Sequence, residues 1–143
     1  MDVRVRISKV LLGALVAACG GGFRQPDMGP HSEKGAEPVV VDFPPPPAQV
    51  EVVTEDPGAP CVWIDGHWDW VGRRWQWFPG GWVTPPAGCH YAPPAMVWIP
   101  ATDRGILYYT RPRWYPEEAA GLDAQQVLSA CAEVRSCGTE HAG

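Results

Sequence analysis

Two carboxylate pairs and one mixed cysteine–histidine set are the residues whose types and spacing could carry chemistry. Asp65 and Asp69 lie four positions apart, and Glu117 and Glu118 are adjacent. Two carboxylates flanking a bond are what glycoside hydrolysis requires. Asp65, however, falls in a glycine-containing bend, and Asp69 alternates away from its tryptophan neighbours. No nucleophile–base pattern accompanies either pair. They read as turn and surface acids, and no enzymatic activity or catalytic residue is expected. Cys61, His67, Cys89 and His90 are metal-ligand types, but their spacing matches neither C-x-x-C nor H-x₃₋₅-H. No metal and no cofactor are expected. His31 and His141 fall in polar tails and read as solvated.

The tryptophans hold more information. The chain has 143 residues, room for one compact domain, and all eight tryptophans lie between positions 63 and 114. Trp63-Ile64-Asp65-Gly66-His67-Trp68 and Trp77-Phe78-Pro79-Gly80-Gly81-Trp82 share the pattern W-x-x-G-x-W at an offset of 14. A degenerate third copy, Tyr91-Ala92-Pro93-Pro94-Ala95-Met96, follows at the same interval. These residues resemble the WXXGXW (YXWGXW) repeat family of small exported bacterial proteins, many of them lipoproteins. The likeness covers roughly residues 61–100, with Pro94 and Met96 departing from the pattern. It implies an envelope location and a small repeat fold, and it implies no activity.

Aromatic residues alternating with polar ones between glycines and prolines predict short strands. Gly72-Arg73 suits a two-residue hairpin loop of type II′. Pairing Val71 with Arg74 then sets Trp70 against Trp75, Trp68 against Trp77 and Trp63 against Trp82. A bulge at each W-x-x-G corrects the parity of the outer pair. The same logic carried onward pairs Trp82 with Tyr91, Trp77 with Met96 and Trp75 with Trp98. Ile106-Leu107-Tyr108-Tyr109-Thr110 supplies a further strand, and residues 117–135 read as an amphipathic helix. The expected fold is therefore mainly β. It is a small antiparallel meander of three or four strands (61–112) with one C-terminal helix, at the aromatic face or near it.

Residues 1–18 read as an export signal. Arg4, Arg6 and Lys9 precede the apolar run from Val10 to Ala18, too short to span a bilayer. Val16-Ala17-Ala18-Cys19 is similar to a bacterial lipobox, which makes Cys19 the expected lipidation site and anchors the chain in the cell envelope. Gly20 after the cysteine favours the outer membrane, by likeness to enteric lipoproteins. With three basic residues and one acidic residue removed, the net charge moves from −5 to about −7, which argues against nucleic acid or an anionic surface as a partner. Residues 19–60, with Gly20-Gly21-Gly22 and Pro44-Pro45-Pro46-Pro47, read as a disordered tether.

An oxidising envelope makes disulfides available to Cys61, Cys89, Cys131 and Cys137. Sequence symmetry and a short loop favour Cys61–Cys89 with Cys131–Cys137. In a flat meander the first pair lies roughly 9–10 Å apart, too far for a disulfide. Crossed bonds from sheet to helix tail therefore stay open.

Two functions fit. One is a binding module, with Trp63, Trp68, Trp70, Trp75, Trp77, Trp82 and Trp98 as a face for peptidoglycan, a polysaccharide or an envelope protein, rimmed by Arg73, Arg74, Arg111 and Arg113. The other is a structural spacer whose tryptophans are simply core. They part on whether the tryptophan face is covered.

Overall fold

Every hexad sits astride a bend. The computed structural model describes residues 22–138; Cys19, the signal segment and His141 lie outside them. In chain order the elements are β1 (Val39–Val41), β2 (Val62–Ile64), β3 (His67–Val71), β4 (Arg74–Phe78) and β5 (Gly81–Thr84), followed by β6 (Cys89–Ala92), β7 (Ala95–Ile99), β8 (Ile106–Thr110), β9 (Arg113–Pro116), α1 (Ala124–Ala130) and β10 (Arg135–Ser136). Over these described residues the chain is mainly β with one C-terminal helix, and the named strands all pair antiparallel. The strands are shorter and more numerous than those of a single meander.

Strands β2–β5 form one long, interrupted hairpin. Its register sets Trp63 against Trp82, Trp68 against Trp77 and Trp70 against Trp75, the three expected pairs. The tip has Gly72 at φ 57° and Arg73 at φ 62°. Two positive values make a type I′ turn instead of the expected II′; its twist matches that of the strands it joins. At the hexads the ladder simply stops for two residues on each side, Asp65-Gly66 facing Pro79-Gly80, and then resumes in the same register. No extra residue is inserted, so the expected bulge is replaced by a symmetric break.

Strands β6–β9 repeat this construction. Tyr91 pairs with Trp114 and Met96 with Tyr109, and the ladder stops at Pro93-Pro94 facing Arg111-Pro112. The expected pairing of residues 91–98 with 75–82 is therefore wrong. Strand β5 already has β2 on one edge and β10 on the other, so no edge remains for β6. The true partner is a fourth hexad, Tyr109-Thr110-Arg111-Pro112-Arg113-Trp114. The two halves treat their bends differently. Gly66 and Gly80 present amide N–H groups that need acceptors, whereas Pro93, Pro94 and Pro112 have none to satisfy.

The apolar interior divides into three small clusters. Val62, Cys89, Tyr91, Trp114 and Cys131 form one; Val41, Trp70 and Tyr109 another; Ala92, Tyr115 and Val127 the third. The helix is shorter than residues 117–135. Asp123 caps it, accepting from the Gln126 amide while Gln126 reaches back to the cap. Gly121 at φ 82° and strand β10 prevent extension in either direction. Val127, fully buried, docks it on the second hairpin.

The disulfides are Cys61–Cys137 and Cys89–Cys131, so the favoured Cys61–Cys89 and Cys131–Cys137 pairs are corrected. Cys61 and Cys89 begin different hairpins. The C-terminal segment runs past both, presenting Cys131 at the end of α1 and Cys137 just after β10.

Much of residues 22–60 is extended, with a hydrogen-bonded turn where the Gly35 and Ala36 amides donate to the Ser32 carbonyl, and the segment does not hang free as a disordered tether. The Arg24 carbonyl accepts from the Trp63 amide, and Met28 bridges Tyr91. Those two contacts lie on the first residues of the first and third hexads. Strand β1 then joins β8, which places residues 42–56 against the first hairpin.

Candidate functional site

The first hairpin assembles six of the seven tryptophans expected on one face into three cross-strand pairs. Trp63–Trp82, Trp68–Trp77 and Trp70–Trp75 have ring centroids 5.6, 5.3 and 5.0 Å apart, all edge to face. Trp98 does not belong to them. It lies opposite Leu107, is 59 % exposed, and its ring occupies the space over Gly105. Trp63, Trp70 and Trp82 are buried, and Trp68, Trp75 and Trp77 half-buried.

The cover is the N-terminal segment itself. Three indole N–H groups donate to its backbone: Trp75 to the Phe43 carbonyl at 3.0 Å, Trp68 to Pro47 at 3.1 Å and Trp82 to Thr54 at 3.3 Å. The Phe43 ring meets Trp70 edge-on at 5.2 Å, and Phe23 meets both Trp63 and Trp82. Between these contacts Glu51 reaches the break in the hairpin. Its two carboxylate oxygens accept from the Gly66 and Gly80 amides, both at 2.8 Å. A single acid thus satisfies the orphan donor of each W-x-x-G. Sequence reasoning missed Glu51, although asking where those two amides find acceptors points to an acid in a neighbouring segment.

A cleft of about 490 Å³ lies beside the break, lined in part by Asp65, His67, Asp69, Tyr91, Arg111 and Arg113. Its carboxylates are engaged. Asp65 accepts from the Trp63 indole at 2.9 Å, and Asp69 pairs with Arg111 at 3.0 Å. Glu117 and Glu118 are exposed and lie elsewhere. The Tyr109 hydroxyl donates to the Trp68 carbonyl; burial and then the Asp69 charge push its pKa up. Burial, with the Asp65 charge, also takes Tyr91 up to about 12. Arg73 pairs with Asp42, so the arginine rim contributes ion pairs as well as surface.

The four residues weighed as metal ligands are not brought together. Cys61 and Cys89 are in separate disulfides, and His90 bonds the Pro30 carbonyl at 2.9 Å. His31, expected to be solvated in a tail, instead contacts the Pro93 carbonyl and the Tyr115 hydroxyl.

His67 stacks on Phe78 at 5.8 Å, and its Nδ1 is buried without a partner among the described residues. Burial holds its pKa below the ordinary 6.5, against the opposing pull of Asp69, the Asp65 backbone and Glu51. The unfolded chain therefore takes up this proton at a higher pH than the folded chain. The stability from neutral His67 is complete above the ordinary value and is lost as pH falls from it through the lowered folded value. Urea midpoints at pH 7.5 and 5.5 should show this loss, and His67→Gln should reduce it. An unchanged pH dependence in the variant would show that His67 plays no part.

Compared with models of protein families, with curated proteins and with solved structures, the chain has no match.

Proposed function

We propose that this is a non-catalytic lipoprotein of the bacterial cell envelope, anchored through Cys19, whose tryptophan-rich β-domain is a protein-interaction module. One observation carries the reading: the tryptophan face engages an extended polypeptide through indole N–H donors aimed at backbone carbonyls. Backbone recognition of this kind suits a peptide. The edge-to-face pairing supports the choice of partner, because stacking on peptidoglycan or polysaccharide wants flat, open ring faces. Likeness to WXXGXW-repeat lipoproteins over roughly residues 61–100 supports the envelope assignment. The spacer reading draws on the same cover, since a face satisfied within its own chain requires no ligand.

The anchor is tested at Cys19. The wild-type chain should incorporate labelled palmitate and sediment with membranes, and Cys19→Ala should lose both. Membrane sedimentation that survives the substitution would overturn the lipoprotein assignment.

A further inference from the structure

The nine residues between Val41 and Glu51 form a strap fastened at both ends. Val41 is buried in the core and Glu51 is held by two amides. Between them, residues 42–50 make no strand pairing, and every one except Pro45 is exposed, including Phe43 at 51 %. The strap nevertheless crosses two of the three tryptophan pairs, Trp68–Trp77 and Trp70–Trp75, in an ordered way. Asp42 pairs with Arg73 near the hairpin tip, Phe43 meets Trp70, and the carbonyls of Phe43 and Pro47 take the Trp75 and Trp68 indoles.

These contacts read the chemistry of one ligand class. A proline run has fixed φ and no N–H groups, so its polar surface is its carbonyls. Aromatic grooves that donate hydrogen bonds to those carbonyls are a recurring way of recognising polyproline II segments. We propose that the tryptophan face is a seat for an acidic–aromatic–polyproline segment of a partner protein, and that residues 42–50 are its resident occupant, lifted when the partner binds. This rests on the interaction-module reading and gives it a ligand class and a form of regulation. Lifting the strap leaves the three tryptophan pairs, the buried Val41 and the Glu51 contacts in place. A second copy of the chain is a poorer donor, because its strap, pinned at Val41 and Glu51, would have to reach another molecule's seat, which lifting alone does not require and which would pull out β1 and Glu51.

The test titrates the full-length chain with a labelled peptide, Asp-Phe-Pro-Pro-Pro-Pro-Ala-Gln, followed by fluorescence anisotropy. Tethered competition corresponds to an effective concentration of millimolar order, so wild type should bind weakly. Phe43→Gly loosens the strap and should tighten binding by roughly tenfold or more. Adding Trp68→Phe and Trp75→Phe should abolish that gain, and a peptide with glycine in place of its prolines should not bind. A folded Phe43→Gly chain that shows no gain would overturn the proposal. So would concentration-dependent dimerisation without peptide binding, which would assign the seat to a second copy. Should Phe43→Gly fail to fold, the Trp68 and Trp75 indole N–H resonances of wild type at millimolar peptide take its place. They shift if the strap is displaced, and stationary resonances would overturn the proposal. Failure here, with membrane attachment still dependent on Cys19, rejects the strap proposal alone.

Discussion

Replacing Cys89 and Cys131 together by alanine is expected to destabilise the folded chain by about 3 kcal/mol, and removing both disulfides to leave it largely unfolded at 37 °C. The bonds span sequence separations of 42 and 76, and the shorter loop lies inside the longer. Chain entropy alone gives about 4 kcal/mol for the inner bond in the unfolded state. With that bond closed, the outer one constrains only about 34 residues, the difference between the two separations. The two effects are therefore not additive, and with the outer bond left closed the loss of the inner one costs about 3 kcal/mol. Both are large against the roughly 5–15 kcal/mol that stabilises an ordinary domain. The three apolar clusters are small, and Cys89 and Cys131 are themselves buried members of one of them. Calorimetry with and without reductant measures the effect. A reduced chain melting within a few degrees of the oxidised one would show that the clusters suffice without the bonds.

Gly80→Ala should cost about 3 kcal/mol, whereas Gly81→Ala, one residue away, should change stability by less than about 0.5 kcal/mol. A β-carbon on Gly80 would lie 2.6 Å from the Ile64 carbonyl oxygen and 2.8 Å from both the Gly66 amide nitrogen and Glu51. Two of those neighbours are backbone and cannot swing away. Relief requires parting the hairpin at its break, which also pulls the Gly66 and Gly80 amides off the Glu51 carboxylate. A β-carbon on Gly81 meets nothing within 4 Å. Urea unfolding of the two variants side by side is decisive. Equal midpoints would refute the idea that the motif glycine serves close packing of the two arms.

The same close packing bears on how much of the molecule its sequence discloses. The register of the first hairpin was legible, because a two-residue turn at Gly72-Arg73 fixes every pair behind it. The strand ending at Thr110 was legible from its β-branched and aromatic residues. The partner of the third hexad was not. A near-palindromic motif fits any other copy, and the copy it pairs with has Tyr109 and Pro112 where the first two have tryptophan and glycine. The path of residues 22–60 was also hidden. Proline-rich composition shows that a segment lacks internal structure, but not whether another surface satisfies its carbonyls. Here the indole donors of Trp68, Trp75 and Trp82 do so. The disulfide pairing depended on that same long-range packing, and pattern alone left it open.

The docking of Phe23 against Trp63 and Trp82, with Arg24 bonded to Trp63, has a mechanical consequence. A lipid on Cys19 would be joined to the folded body by a leash of four residues, at most roughly 14 Å when fully drawn out. That is less than half the ~30 Å thickness of a bilayer's hydrocarbon layer. On such a leash the domain would have almost no standoff. It would pivot against the headgroups, and a partner would have to come to the membrane surface to meet it.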